Sequence, residues 1–328
     1  MYKLLYIVLC FLKLAFVTTS QSIYDETLRS LIVGGQEAKE GGYPYQVVWY
    51  DDFETLCGGT LISPSHVLTA AHCFHEDGTE RYVEIGRHNR SDPLEEFELI
   101  LVKEVFVHPL FFDEKPKYDI MILKLQENST FPSVTLDNGT HDLGGETELK
   151  VIGWGSTTSF SPYYIFGIPL PPFLSSFVDS LFSNDSTENE VDDRNMHSDI
   201  LREVSLDLVT KEDCQKDFGI LFKVTSHMMC ASREGSGPCL GDSGGPLLLT
   251  NINGNSEIQV GIISFGIGCA DSHYPGVYTK VSSFLTWIDA VINKEESISE
   301  NMDDNLTFFS RFWNAYQNIC IFCNVDLL

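Results

Sequence analysis

Three short segments, far apart in the chain, each hold one of the residue types that nucleophilic acyl transfer requires: Thr69-Ala70-Ala71-His72-Cys73, Tyr118-Asp119-Ile120-Met121 and Gly241-Asp242-Ser243-Gly244-Gly245-Pro246. A serine hydroxyl is almost wholly protonated at neutral pH, so it attacks a carbonyl only if a neighbouring base takes its proton as the bond forms. An imidazole, with an unperturbed pKa of ~6.5, can take that proton and return it to the leaving amine. A carboxylate can hold the ring in the right tautomer and stabilise its cation. Taken singly, a histidine after two alanines is more often a buried structural residue, and an aspartate after tyrosine a turn or surface residue. The three segments carry a reading only together and in this order.

Residues so distant in sequence meet only if a fold brings them together. The chain has 328 residues, 43% hydrophobic and 21% charged, which excludes a disordered or fibrous protein and leaves room for a sizeable core. With 47 Asp and Glu against 21 Lys and Arg, its net charge of -26 excludes a nucleic-acid binder held by phosphate contacts. From Gly34 to Lys280 the pattern is of short strands: Gln46 to Trp49, Gly58 to Ile62, His66 to Thr69, Leu99 to Val107, Met121 to Leu125, Glu148 to Ile152, Pro246 to Leu249, Val260 to Phe265 and Gly276 to Lys280. They are rich in Val, Ile, Leu and Phe and separated by Gly, Pro, Asn and Asp, the signature of an all-β barrel or sandwich. The clearest helix follows Ser283, read as its N-cap, with Trp287, Ile288, Val291 and Ile292 on one face. No internal repeat is visible.

Residues 1–20 read as a signal peptide: Lys3 precedes an apolar run from Leu4 to Val17, broken only by Lys13, and Thr18, Thr19 and Ser20 follow. The run is shorter than the ~20 residues a spanning helix needs, and no later stretch reaches that length. Removal before Gln21 takes Cys10 away and leaves eight of the nine cysteines, an even number in an oxidising compartment. On a secretory route the sequons at Asn89, Asn128, Asn138, Asn184 and Asn305 become candidate glycosylation sites. Two segments break the regular strand spacing. Residues 156–198 hold an aromatic and proline-rich stretch from Phe160 to Pro172, an amphipathic-helix spacing over Phe173, Leu174, Phe177, Val178, Leu181 and Phe182, and an acidic run from Asn184 to Asp199 read as flexible. The tail from Glu295 places Phe309, Phe312, Trp313, Tyr316, Ile319 and Cys320 on one helical face.

The three reactive segments in the order His, Asp, Ser, with Ile32-Val33-Gly34-Gly35 upstream, resemble the secreted trypsin and chymotrypsin family of serine proteases over about Ile32 to Ile292. The resemblance implies two six-stranded antiparallel β-barrels packed face to face with a C-terminal helix. It divides the chain into a signal peptide (1–20), an activation propeptide (21–31), a protease domain (32–293) with the insertion 156–198, and an extension (294–328). His72 becomes the general base, Asp119 its orienting partner and Ser243 the nucleophile, with the backbone N–H groups of Gly241 and Ser243 forming the oxyanion hole. Disulfides Cys57–Cys73, Cys214–Cys230 and Cys239–Cys269 are implied, while Cys320 and Cys323 fall outside the family pattern and their pairing stays open. A zinc site is disfavoured because the six cysteines of those three disulfides lack paired C-x-x-C spacing, and the C-x-x-C spacing of Cys320 and Cys323 alone does not support a redox function.

By the same resemblance Gly237 forms the base of the primary specificity pocket, with Gly266 and Gly276 on its walls. A base without charge or bulk suits a large apolar or aromatic side chain before the scissile bond, with an elastase-like or mixed apolar preference as the competing reading. Ser264-Phe265-Gly266 corresponds to the strand that pairs with substrate, Phe265 standing where the family usually has tryptophan. No metal or other cofactor is expected: Arg87 stands where the family's calcium loop offers a carboxylate, leaving only Asp92, Glu95 and Glu96 nearby to attract a cation weakly, and Pro275 stands where sodium-responsive members have tyrosine. Activation would free the amine of Ile32 by a cut after Leu31, or alternatively by a cut after Arg29 and aminopeptidase removal of Ser30 and Leu31, and its ammonium would pair with Asp242. The implied partners are protein or peptide substrates and proteinaceous inhibitors, for a secreted monomer with no membrane span. A second reading, from another class, is a catalytically silent binding protein on the same fold that uses the aromatic insertion for contact.

Overall fold

The computed structural model describes residues 34–300, except 52–54, 76–79, 113–116, 142, 145–146, 157–163, 166–167, 170–196, 220–221, 253–255 and 271–272. The expectations placed on the signal peptide, on Leu31 and Ile32, on the helical spacing between Phe173 and Phe182, on Asn184 and Asn305, and on the aromatic tail face and its two cysteines therefore lie outside the described residues.

Twelve strands build two barrels. The first comprises β1 (Gln46–Asp51), β2 (Thr55–Ser63), β3 (His66–Thr69), β4 (Tyr82–Ile85), β5 (Glu98–Val107) and β6 (Met121–Leu125), closed in the order β1-β2-β3-β6-β5-β4. The second comprises β7 (Glu148–Gly153), β8 (Arg202–Val209), β9 (Met228–Ser232), β10 (Pro246–Ile252), β11 (Ser256–Phe265) and β12 (Gly276–Lys280). Its order, β7-β8-β9-β12-β11-β10 with β10 returning to β7, is the first barrel's order repeated. Short pieces pair outside the closed rings: Gln36–Glu37 joins β8, and Thr135–Leu136 runs parallel to β11. All neighbouring strands within the rings are antiparallel, and closure leaves neither barrel with an open edge.

The sequence pattern explains most of this. In β3 every residue is buried, and in β6 only Lys124 reaches toward solvent, so both read as continuous runs and not as alternations. Inside the second barrel Leu149, Val151, Leu206, Leu247, Val260 and Tyr278 are fully buried together. Three barrel strands, Tyr82–Ile85, Arg202–Val209 and Met228–Ser232, were not among those read from the sequence. Arg202–Val209 buries Val204 and Leu206 between polar neighbours, and Met228–Ser232 is built from Met, Cys and Ala, which have little β preference of their own.

Helix α1 (Lys211–Phe218) was not foreseen either, because only Cys214 and Phe218 of its eight residues are buried. Its start is nonetheless capped, Thr210 accepting from the backbone N–H of Asp213 at 3.1 Å. The last helix, α2 (Leu285–Glu300), corrects the expected boundary: a 3-10 turn over Val281–Ser283 comes first, so Ser283 is not the cap, and its hydroxyl lies 3.4 Å from the Ser226 carbonyl. The chain divides after Leu285, with Thr286–Leu328 forming a second unit. Within the inserted segment Tyr164–Ile165 pairs with Ile168–Pro169 in a short antiparallel hairpin. Among the described residues no helix is long and apolar enough to cross a membrane.

Among the described residues three disulfides are present, Cys57–Cys73, Cys214–Cys230 and Cys239–Cys269. Asn128 and Asn138 are exposed, whereas Asn89 is half-buried and its side chain accepts from the Ser91 backbone at 3.0 Å. Arg87 is enclosed by acidic groups, 2.8 Å from Glu84 and 4.0 Å from Glu95, with its guanidinium 3.5 Å above the Phe97 ring. Glu95 also accepts from the backbone N–H groups of His88 and Asn89. Asp92 accepts from the Leu94 backbone N–H at 2.8 Å, and Glu96 is exposed.

Candidate active site

His72 follows β3 in a single 3-10 turn, Ala71–Cys73, and Asp119 lies just before β6; β3 and β6 are paired, which brings the two residues together. The contact is double: the His72 backbone N–H donates to Asp119 Oδ1 at 2.9 Å and ring Nδ1 lies 2.8 Å from Oδ2. A carboxylate can only accept, so Nδ1 carries the proton and Nε2 of the neutral ring holds the lone pair. Asp119 is buried, and Ser264 supplies a third donor at 2.5 Å. A strand irregularity between Ile263 and Phe265 sets Ser264 at this position. Thr279 holds the Asp119 carbonyl at 2.7 Å. Burial by itself pushes the Asp119 carboxyl up, but the His72 charge and the bonds from His72 and Ser264 outweigh it and hold the group below the ordinary carboxylate range.

Ser243 comes from the second barrel, in the turn before β10, and docks on the first. Its carbonyl accepts from the Gly58 backbone at 2.7 Å, and Gly58 in turn accepts from Thr69, which is bonded to Trp49. Cys73 Sγ is 3.9 Å from His72 Nε2 and 3.8 Å from the Ser243 carbonyl oxygen, so the His72 and Ser243 segments meet around one sulfur atom. This docking leaves no room for side chains: a Cβ on Gly244, whose φ is +80°, would lie 2.2 Å from Thr69 Oγ1 and 2.5 Å from the Gly58 carbonyl.

The backbone of the same loop is selective in what it leaves open. The N–H groups of Asp242, Gly244 and Gly245 donate to Cys239, Ile263 and Asp242. Those of Gly241 and Ser243 have no hydrogen-bond partner among the described residues. Such adjacent donors are the equipment that stabilises an oxyanion, each contributing roughly 3 kcal/mol to the transition state. Gly241 takes φ +93°, and a Cβ there would lie 2.8 Å from the His197 ring. The Asp242 side chain turns away from the surface and is fully buried, accepting from Gly155 at 2.7 Å and Cys239 at 2.9 Å. Burial outweighs those two bonds and pushes its carboxyl up to about 6.

Behind Ser243, Gly237 faces Ala270, which a Cβ on the glycine would meet at 3.4 to 3.6 Å, an ordinary contact. Gly266 is open, its nearest obstacle being the Gly268 carbonyl at 3.5 Å from such a Cβ, whereas a Cβ on Gly276 would meet Tyr278 Oη at 3.0 Å. Among the described residues Tyr278 Oη has no hydrogen-bond partner. Phe265 is turned into a buried aromatic cluster, 4.8 Å from Phe222 and 6.4 Å from Phe218 between ring centres.

Three residues beside this site were missed in the sequence: His197, Ala270 and Tyr278. His197 has no local signal, being brought to Gly241 by a bridge between the two ends of the insertion, Ser156 and His197. Tyr278 was legible only as the third residue of the Gly276 strand.

Replacing Ser264 by Ala removes one of the donors to a buried carboxylate and is expected to cost ~1 to 3 kcal/mol in urea unfolding. Catalysis of ester hydrolysis should fall in kcat with little change in KM, since Ser264 acts through Asp119 and not on substrate; an unchanged kcat would contradict this placement.

A family model described as Trypsin matches residues 32–166 and 186–288.

Proposed function

Because the chain belongs to the trypsin family of serine proteases, with that family's two-barrel fold, we propose that it is an active, secreted endopeptidase made as a zymogen. The observation that carries the reading is the pair of free N–H groups on Gly241 and Ser243, beside a His72 ring whose proton is held on Nδ1 by buried Asp119. Nε2 takes the Ser243 hydroxyl proton as Oγ bonds to the scissile carbonyl carbon. The resulting oxyanion is held by the two N–H groups, and His72 returns the proton to the leaving amine. The acyl-serine that remains is cleaved by water through the same base. The three disulfides suit an oxidising compartment, in accord with removal of residues 1–20 on secretion.

A serine-directed fluorophosphonate probe should label the activated protein, and Ser243→Ala should abolish labelling and lower ester turnover by several orders of magnitude. Failure to label the wild type would favour a silent binding protein instead.

For specificity, we assign Gly237 to the pocket base, Gly266 and Gly276 to its walls, and a preference for bulky apolar or aromatic residues. The open space at Gly266 supports depth, while the Tyr278 hydroxyl that a Cβ on Gly276 would meet is itself fully buried. Gly237→Asp places a carboxylate where the backbone has room, so a peptide-library profile should shift toward Lys and Arg. Wild-type cleavage after Arg faster than after Phe, Tyr or Leu would overturn the assignment.

Activation is assigned to a cut after Leu31. Leu31 suits the apolar pocket assigned to this enzyme, so the cut is made by the protease itself or by one like it. The freed Ile32 ammonium then pairs with Asp242. In the uncut chain Asp242 has its folded pKa near 6 against an ordinary 3.8. A raised acid favours folding fully below pH ~4 and loses that contribution as pH rises through about 6, a difference of about 3 kcal/mol. An uncut Ser243→Ala chain should therefore lose stability relative to its Asp242→Asn counterpart between pH 4 and 7.5, as read by urea unfolding. Cleavage should reverse the balance at neutral pH. Parallel pH profiles of the two uncut chains, or a fully active enzyme beginning at Ser30, would contradict the scheme.

A further inference from the structure

On the same compact unit lies a cleft of about 320 Å³ lined by Lys117, Lys211, Lys223, Thr225, Ser226 and His227, with Tyr118 as one wall. Three ammonium groups in one cleft are unexpected in a chain of net charge -26, in which acidic residues outnumber basic ones 47 to 21. Several cations elsewhere are matched, Arg87 to Glu84, Lys150 to Glu203 and Arg233 to Asp207. Among the described residues, none of Lys117, Lys211 and Lys223 makes an ion pair or a side-chain hydrogen bond. No acidic residue is part of the lining: Glu212 and Asp213 beside Lys211 lie outside it, Asp213 being bonded to Thr210 at 2.8 Å, and Asp119, two residues from Lys117, is buried and engaged by His72 and Ser264.

The wall that carries Lys223 to His227 has no regular secondary structure, yet it is pinned. Gln215 on α1 accepts from the Val224 N–H at 3.0 Å and donates to the Phe222 carbonyl at 2.9 Å and the Gly219 carbonyl at 3.0 Å. The Lys280 N–H holds the His227 carbonyl at 2.9 Å, and the His227 N–H donates to Thr225 at 3.3 Å. The lysine stems thus rise from a fixed backbone. Like charges around one cleft repel, and a multiply charged anion relieves that repulsion while gaining hydroxyl contacts from Thr225 and Ser226. The volume is that of a small-molecule site. An extended polyanion would meet the protein's overall negative field, which a short ligand reaching only this cleft largely escapes.

We propose that this cleft is a binding site for a compact, multiply charged oxyanion ester, a sulfate or phosphate carried on a sugar-sized scaffold. Lysine ammonium groups act as point charges that accept either ester, so the source is decided by experiment. Sucrose octasulfate and inositol hexakisphosphate should be titrated into the full-length protein by calorimetry at about 50 mM and about 200 mM NaCl. At least one should bind with a Kd below about 100 µM at the lower salt, and the tighter of the two identifies the ester. Binding should weaken by about tenfold or more at the higher salt. Lys117→Gln with Lys211→Gln and Lys223→Gln should together weaken binding at least about thirtyfold, whereas Lys103→Gln, exposed on the first barrel, should not change it. Lys223→Glu alone provides a one-residue check should the triple variant fail to fold, and should weaken binding at least about tenfold. No binding by either compound below about 1 mM, or equal binding by the lysine variants, would overturn the proposal.

Discussion

Everything at the reactive centre depends on how closely two backbones approach each other. The loop that carries Ser243 belongs to the second barrel, but its carbonyl is held by Gly58 of the first at 2.7 Å. That distance excludes a Cβ on Gly244, whose would-be neighbours are backbone and a hydroxyl already engaged with Gly58. Behind the contact, Trp49 fixes Thr69, and Thr69 lies three residues before His72. One chain of hydrogen bonds therefore reaches from the buried core of one barrel to the loop of the other, with His72 at the junction. Precision comes from rigid elements meeting across a seam.

The two buried carboxylates show how environment assigns different tasks to the same functional group. Asp119 meets two donors from His72 and one from Ser264, and stays ionised although buried. Asp242 meets only two backbone N–H groups in a pocket between Gly153 and Gly155, and burial prevails there. The first carboxylate is satisfied, whereas the second is an incomplete pair. Under the activation proposed above, the Ile32 ammonium would complete it.

Much of this was legible in sequence where local chemistry and local structure coincide. His66 to Thr69, Met121 to Leu125 and Gly276 to Lys280 are strands at the residues read from the sequence, because buried barrel strands leave continuous apolar runs. His72 and Ser243 stand out because their flanking residues are small, as close packing requires. The strand Met228–Ser232 could not be read, since its pairing with Gly276–Lys280 overrides weak intrinsic preference. The repetition of one strand order in both barrels left no trace in the residues, because order is a property of backbone pairing. His197 and Ala270 reach the site only through tertiary approach, and no spacing rule joins either to Ser243.

The insertion offers a different kind of consequence. Its two ends are fastened together, Ser156 bridging His197 and Ser198 donating to the Trp154 carbonyl at 2.9 Å. A loop whose base is closed by the scaffold adds little to the entropy of folding as it lengthens, about 0.6 kcal/mol per doubling. Lengthening the loop between these fastened ends therefore costs the barrels little, and this position works as a socket. His197, at the rim of the socket, lies against Gly241, so the closed base of the insertion adjoins the loop that carries Ser243.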